Sequence, residues 1–347
     1  MASFIIRSKA PLRLGLGGGG TDIESFFSVH GGAVLNATID LYACCTLKPK
    51  KNNKIKFIAS DLQQEFECDA VNYIEPSGDL ILHKAIYNHI VKNFNNNHPI
   101  EHELVTHCDV PAGSGLGASS TLVVSIIKAY GELLNLSLGD YDIANLAYEI
   151  ERVDLGMKGG KQDQFAAAFG GFNFMEFYQD NKTIINPLRI RKWIISELEQ
   201  SLILFNTGTS RVSSNIIEDQ DKKIIEKSQK TIQSMLDIKQ EALNIKEYLL
   251  KGNFDKIAES IQKGWIAKKN SSNSISNNDL DRIYDHVMNN SGALAGKISG
   301  AGGGGFFMFL VKPEKKMDIL RVLEKEVGKI YPCHFVDDGV SSWTIKK

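Results

Sequence analysis

The chain has 347 residues, of which 43% are hydrophobic and 23% charged, enough apolar matter for two sizeable cores. A formal net charge of -1 excludes a global field that would recruit nucleic acid or an anionic membrane. No run of about 18 apolar residues exists to span a membrane, and the first nine residues lack the apolar stretch of a signal peptide.

From the N-terminus, Phe4 to Leu14 reads as extended and runs into a glycine cluster, residues 15–22, with sequence GLGGGGTD. A short helical pattern follows from Ile23 to Val29 and stops at Gly31-Gly32. Ala33 to Lys48 is β-branched and small, and Ile55 to Ile58 follows a turn-like Lys51-Asn52-Asn53, so both read as strands. Leu82, Ile86, Ile90 and Phe94 have helical spacing, and Glu101 to Cys108 reads as a strand. A second glycine loop, residues 111–120, precedes a helix with Leu122, Val123, Ile126, Ile127, Tyr130, Leu133 and Leu134 on one face. Asp140 to Val153 reads as a further helix, and glycines return at Gly156, Gly159 and Gly160.

The second half reads as long charged helices over Asn215 to Leu250 and Phe254 to Lys268, a Ser/Asn loop over Asn270 to Asn278, and a helix over Asp279 to Met288. A third glycine loop, residues 299–305, enters the apolar strand Phe306 to Val311. A helix carrying Met317, Leu320, Leu323 and Val327, and strands near Phe335 and Trp343, close the chain. The polar stretch from Asn181 to Lys192 marks a domain boundary, giving domains of residues 1–185 and 186–347. Five cysteines (Cys44, Cys45, Cys68, Cys108 and Cys333) are scattered without a CxxC pair, which argues against structural zinc and for a reducing, cytoplasmic setting.

The middle loop carries the clearest chemistry. Its glycines, Gly113, Gly115 and Gly117, let backbone N–H groups crowd around an anion, and the helix starting near Ser119 adds its positive N-terminal end. A flexible loop with a helix cap is the plain alternative. It is not a P-loop, because Ala118-Ser119 stands where Lys and Ser/Thr belong. Another group must therefore neutralise phosphate charge. Gly15, Gly17 and Gly20 satisfy GxGxxG, with Asp40 at the distance of a ribose-binding acid. The preceding segment, with Arg7, Lys9, Pro11 and Arg13, does not suit the buried apolar strand that a dinucleotide fold requires.

The three loops, in order, resemble the motifs of the GHMP kinases: Lys9 to Arg13, Pro111 to Ser120, and Lys297 to Gly304. That resemblance implies a two-domain α+β fold. The N-terminal domain would be like domain 2 of ribosomal protein S5, the C-terminal domain ferredoxin-like, and ATP and substrate would lie between them. It implies an ATP phosphate site over Pro111, Gly113, Ser114, Gly115, Leu116, Gly117, Ala118, Ser119 and Ser120. It implies Mg²⁺ ligands at Ser119 and Glu151, with Glu149 as a second candidate, and a catalytic Asp163 beside a basic Arg13. Leu12 and Leu14 alternate with Arg13, which turns Arg13 away from them. Asp163 either accepts the hydroxyl proton or only orients the hydroxyl. The plain alternatives are a solvated glutamate, a loop or cap aspartate and a surface arginine.

The stretch from Arg7 to Asp40, with Gly19-Gly20-Thr21-Asp22 inside it, resembles the branch that phosphorylates the anomeric hydroxyl of D-glycero-D-manno-heptose 7-phosphate. Residues 206–211 and the Trp265 helix fit that branch. Its product, the 1,7-bisphosphate, feeds nucleotide-activated heptose for surface polysaccharide. The implied substrate contacts are Gly19, Gly20, Thr21, Asp22, Lys161, Arg211, Gly300, Ala301 and Gly302, with Lys158 as a further cation. Asp22 would bond sugar hydroxyls or cap the helix after it. A kinase for fucose or another unphosphorylated sugar, a non-catalytic sensor and a GHMP-fold decarboxylase are the rival readings; the intact Ser119, Glu151 and Asp163 speak against a sensor.

Overall fold

The structure is a computed structural model that describes residues 4–209, 213–272 and 274–346. The first half runs β1 (Phe4–Gly17), α1 (Glu24–His30), β2 (Gly32–Pro49), β3 (Lys54–Ala59), β4 (Gln64–Asp69), α2 (Ile81–Phe94), β5 (His102–Cys108), α3 (Ala118–Leu133) and α4 (Asp140–Tyr148). A π-helical turn (Glu149–Asp154), α5 (Gln162–Phe169), β6 (Phe172–Phe177) and β7 (Thr183–Pro187) complete it. The second half runs α6 (Lys192–Ser201), β8 (Leu202–Asn206), α7 (Ser213–Ile225), α8 (Gln229–Lys251), α9 (Phe254–Ser271) and α10 (Asn278–Met288). It ends with β9 (Ala293–Ile298), β10 (Phe306–Val311), α11 (Lys316–Leu323), β11 (Lys329–Tyr331) and β12 (Ser341–Lys346).

The first sheet has the order β12-β1-β2-β5-β3-β4, with β6 and then β7 branching from the start of β2. One edge of β2 therefore serves two partners: residues 32–37 pair with β6 and residues 43–49 with β5. The second sheet, β11-β8-β10-β9, is antiparallel throughout. Its strands follow a βαββαβ path in which a run of helices, α7 to α10, replaces the first helix, so it is ferredoxin-like.

Strand β1 decides how the two halves meet. Ile6 and Ala10 belong to the core with α2 and α3, and Ser8 donates to Ser125 O on α3 at 2.6 Å. A register shift falls between Pro11 and Leu12. Beyond it, Leu12, Leu14 and Leu16 join a second core with Leu204, Ile245, Ile261, Phe306 and Met308 from the other half. The pairing slips there by two residues, from Pro11↔Tyr42 to Leu12↔Ile39, with Asp40 and Leu41 of β2 skipped, and the even-numbered side chains of β1 change cores across it. Odd-numbered Arg13 thereby takes the α3 side, where α5 and the middle loop lie. The shift also accommodates Pro11: β12 pairs only with residues 4–9, so no ladder partner on that edge is denied an N–H.

The sequence expectations differ from the structure at several places. β1 continues through the glycines to Gly17, and β4 was not anticipated. The helix expected over Asn215 to Leu250 is two helices, α7 and α8, broken where Lys227 takes φ 56° and Ser228 caps Thr231 N. The helix expected to reach Val327 ends at Leu323, and Phe335 makes only a single bridge, to Ile39. A division at 185/186 leaves the end of β7 and all of β12 on the far side, although both pair within the first sheet.

The return of the chain to β12 rests on a close backbone approach. Gly170 ends α5 at φ 68°, ψ 171°, a region essentially restricted to glycine. A Cβ there would lie 2.2 Å from both Asp338 C and Gly339 N. Gly170→Ala should lower stability by about 1–3 kcal/mol from the backbone conformation alone, and more from the clash. Urea unfolding monitored by circular dichroism checks this through a lower midpoint at unchanged slope.

Candidate active site

Six segments converge on one cavity of about 430 Å³ between the halves. Its wall takes Arg13, Gly20 and Asp22 from the first loop and residues 112–115 and 117–120 from the middle loop and α3. Glu151 to Asp163 contribute Glu151, Arg152, Met157, Lys158, Gly159, Gly160, Gln162 and Asp163. The second half contributes Ile217, Gln220, Lys268, Gly300 and Ala301.

Helix α3 has Gly117 as its N-cap, with φ 79° and no side-chain cap, so the first amides of the helix are left for a ligand. Leu116 does not join the wall; it is fully buried in the core between the sheets and anchors the loop, its carbonyl accepting from Arg13 N at 3.1 Å. Pro111 also lies off the wall.

Glu151 sits on the π-helical turn, is 1% exposed, and lines the cavity. Such wide turns are frequent at functional sites. Gln164 Nε2 donates to Glu151 Oε2 at 2.6 Å, leaving Oε1 opposite Ser119 Oγ at 3.5 Å. Burial raises the Glu151 carboxyl pKa, which is lowered in part by Arg152 and by hydrogen bonds. Glu149, the second metal candidate, is exposed and off the wall.

Arg13 is 3% exposed and makes three side-chain bonds. Its Nε donates to Asp163 Oδ1 at 2.7 Å, and Nη1 donates to Gly115 O at 2.7 Å and Ser299 Oγ at 3.2 Å. Asp163 lies in the first turn of α5 and borders Gly117. One guanidinium thus joins β1, the middle loop, the third loop and α5.

Several expected substrate contacts lie elsewhere. Lys161 is 5% exposed, donates to Asn181 O and Oδ1 at 3.4 and 2.5 Å, and lies over the rings of Phe27 and Tyr148. It is absent from the cavity wall, and desolvation lowers its pKa. Residues two apart on a helix do not share a face, so proximity to Asp163 in sequence did not carry Lys161 into the cavity. Thr21 is fully buried and bonds Gly18 O and Ala33 O, holding the loop rather than facing a ligand. Gly302 packs on Ile275, and Gly19 offers its carbonyl to Lys268 instead of lining this cavity. Arg211 lies outside the described residues.

Asp22 lines the cavity, but its carboxylate does not cap α1, whose N-cap is Ile23 without a side-chain bond. It accepts from Gly20 N at 3.0 Å, Gln162 N at 3.0 Å and Gln162 Nε2 at 3.2 Å. It therefore ties the first loop to the start of α5.

The sequence reading missed Arg152, Gln162, Gln220 and Lys268 on the wall and the half-buried Lys297 near Lys268. Lys268 Nζ donates to Gly19 O at 2.9 Å and Lys297 Nζ to Gly15 O at 2.8 Å. Burial lowers Lys268 to about 8, and burial with the neighbouring cations lowers Lys297 to about 7. The available signal was Lys268 three residues after Trp265, on the inward stripe of its helix.

This is the site of a phosphotransferase with an alcohol acceptor. The family description "GHMP kinases N terminal domain" matches residues 81–171, and "GHMP kinases C terminal" matches residues 245–329. The D-glycero-alpha-D-manno-heptose 7-phosphate kinase of Campylobacter jejuni is 48% identical over 98% of this chain and 99% of its own. The crystal structure of a D-glycero-D-manno-heptose 1-phosphate kinase from Bacteriodes thetaiotaomicron is 42% identical, with TM-score 0.83 over 98% of this chain and 99% of that one. Lactococcus lactis galactokinase, solved with galactose, shares the fold at 18% identity, with TM-score 0.79 over 97% and 95% of the two chains. The chain belongs to the GHMP kinases.

Replacing Asp163 by Asn keeps its shape and removes its charge. Turnover should fall by roughly 10²-fold or more, the range for a positioned acid–base group. ATP affinity, measured by calorimetry, should stay near that of the wild type. A parallel loss of both would make Asp163 a structural residue.

Proposed function

We propose that this protein transfers the γ-phosphoryl group of ATP to the anomeric hydroxyl of D-glycero-D-manno-heptose 7-phosphate, giving the 1,7-bisphosphate. The carrying observation is the Arg13-held carboxylate of Asp163 on the same cavity wall as the uncapped start of α3. That arrangement offers one place for phosphates and, beside it, one for a hydroxyl. The acceptor rests on the near full-length likeness to the two heptose phosphate kinases.

Phosphoryl transfer needs positioning and charge neutralisation more than covalent chemistry from the protein. The amides at the start of α3 cradle the phosphates. Arg13 occupies Asp163 Oδ1, leaving Oδ2 to accept the bond from the acceptor hydroxyl. The same guanidinium lies close enough to offset charge developing on the attacked oxygen.

Ser119 and Glu151 are the residues that would hold Mg²⁺, which supplies the phosphate neutralisation that a loop lysine gives elsewhere. The fit is chemical: one hydroxyl and one carboxylate suffice for an ion that retains several waters. Glu151 Oε1 and Ser119 Oγ face each other, and a cation relieves the burial that raises the carboxyl pKa. An ATP-using reaction and five unpaired cysteines support a cytoplasmic setting. No helix among the described residues is long and apolar enough to cross a membrane.

The Mg²⁺ assignment has a direct check. Ser119→Ala and Glu151→Gln should each raise the Mg²⁺ concentration for half-maximal activity and lower turnover. Unchanged dependence in both variants rejects these ligands.

The names of the two heptose kinases place the substrate phosphate at different ends of the sugar. ADP release should therefore be measured with heptose 7-phosphate, heptose 1-phosphate, unphosphorylated heptose and fucose. The expected order puts heptose 7-phosphate first, with phosphorus NMR showing a new anomeric phosphate. Preference for heptose 1-phosphate would reverse the acceptor, and preference for fucose would remove the phosphorylated sugar.

A further inference from the structure

At the end of the cavity formed by the second half, two buried polar side chains converge without a protein partner that satisfies both. Lys268 on α9 is 9% exposed, and Gln220 on α7 is 1% exposed; both line the cavity. Gln220 Nε2 donates to Ser271 Oγ at 2.7 Å, while Gln220 Oε1 is buried with no hydrogen-bond partner among the described residues. Buried polar atoms are paired in the great majority of cases, so an orphan on a cavity wall marks a ligand contact. The Lys268 ammonium has three donors, and its recorded bond goes to the neutral carbonyl of Gly19.

The surroundings leave the charge of Lys268 uncompensated. Asp22 is the carboxylate that acts on it, but the Asp22 oxygens accept from Gly20 and Gln162. Arg13 adds like charge. Gly20 keeps the approach open, since a Cβ there would stand 3.0 Å from Lys268 Nζ and 3.9 Å from Gln220 Oε1. The two atoms thus face a common space beside the first loop. Of the other cations expected to meet an acceptor phosphate, Lys161 is bound to Asn181 away from the cavity, Lys158 is exposed at its rim, and Arg211 lies outside the described residues.

We propose that Lys268 and Gln220 form the acceptor-recognition pole of the site, Lys268 binding the phosphate of the sugar phosphate and Gln220 Oε1 accepting from a neighbouring hydroxyl. This rests on the heptose 7-phosphate reading above and names the residues that carry its specificity. An ammonium–phosphate contact in a buried site is charge-assisted. Its loss removes about 1.5–3 kcal/mol, equivalent to roughly 10-fold to 100-fold in affinity at 1.4 kcal/mol per decade.

The experiment compares KM for heptose 7-phosphate, for unphosphorylated heptose and for ATP in wild type, Lys268→Met, Lys268→Arg and Gln220→Leu. Wild type should prefer the phosphorylated sugar. Lys268→Met should raise KM for heptose 7-phosphate by about 10-fold to 100-fold and shift KM for unphosphorylated heptose far less, so the preference collapses. Lys268→Arg retains the charge and should retain most of the preference, which also covers the case in which Lys268→Met does not fold. Gln220→Leu should raise KM for both sugars without changing their ratio. Equal rises for both sugars in Lys268→Met would make Lys268 a support for the first loop and overturn the proposal. A preference that survives Lys268→Met assigns the phosphate to another cation and overturns it as well. A wild-type enzyme with no preference removes the heptose 7-phosphate reading itself, a result seen before any variant is made.

Discussion

The bond between Arg13 and Asp163 is the constraint on which the site depends. At 2.7 Å, with the arginine side chain almost wholly enclosed, it is a charge-assisted contact in a largely dry setting. Nη1 of the guanidinium fastens both the middle loop, through Gly115 O, and the third loop, through Ser299 Oγ. A planar fork with several donors can hold such separate acceptors at fixed angles, which a lysine could not. The geometry between the phosphate cradle and the acceptor carboxylate is therefore set by one side chain. That chain stands on the strand shared by both cores.

Two backbone features let the arginine reach this point. The register shift after Pro11 turns Arg13 toward α5 while Leu12, Leu14 and Leu16 stay in the apolar contact with the second sheet. The middle and third loops then approach closely enough that a Cβ on Gly115 would lie 2.4 Å from Ser299 O, and one on Gly300 would lie 2.6 Å from Gly115 O. Glycine is required on both sides because each φ is positive, at 78° and 86°. The loops brought together by Arg13 are held by backbone contact, and the cleft between the halves is correspondingly narrow.

Much of this was legible in the sequence because glycine loops and their neighbours act locally. The order of the three loops and the strand-to-helix alternation follow from short segments, and the resemblance of those loops to the GHMP kinases pointed to Arg13, Glu151 and Asp163. Features that need the third dimension were not legible. Lys161 looked like a site cation because Asp163 is two residues away, yet the start of α5 sends it under Phe27 and Tyr148. Thr21 looked like a sugar ligand beside Asp22, yet its hydroxyl closes the loop on Gly18 and Ala33. Lys268 is some 250 residues from the loop it contacts, and nothing in its helical context separates it from a solvated lysine except the inward stripe it continues. The break at Lys227 was hidden because the charged helical pattern runs through it; only Ser228 as a cap marks the new start.

The distribution of charge explains why the second half contributes lysines rather than carboxylates. Arg13 is committed to Asp163, and the metal pair Ser119 and Glu151 comes from different elements of the wall than Lys268 and Gln220. Burial, with Arg13 nearby, lowers Lys268 to about 8 despite Asp22, and burial with Lys268 and Arg13 lowers Lys297 to about 7. A cation kept uncompensated is unfavourable to the folded chain alone and becomes favourable once an anion fills the space beside it. An acceptor lacking the anion would leave that cost in place. On the proposal above, selectivity for a phosphorylated sugar would arise in part from the desolvation of Lys268 against the neutral carbonyl of Gly19.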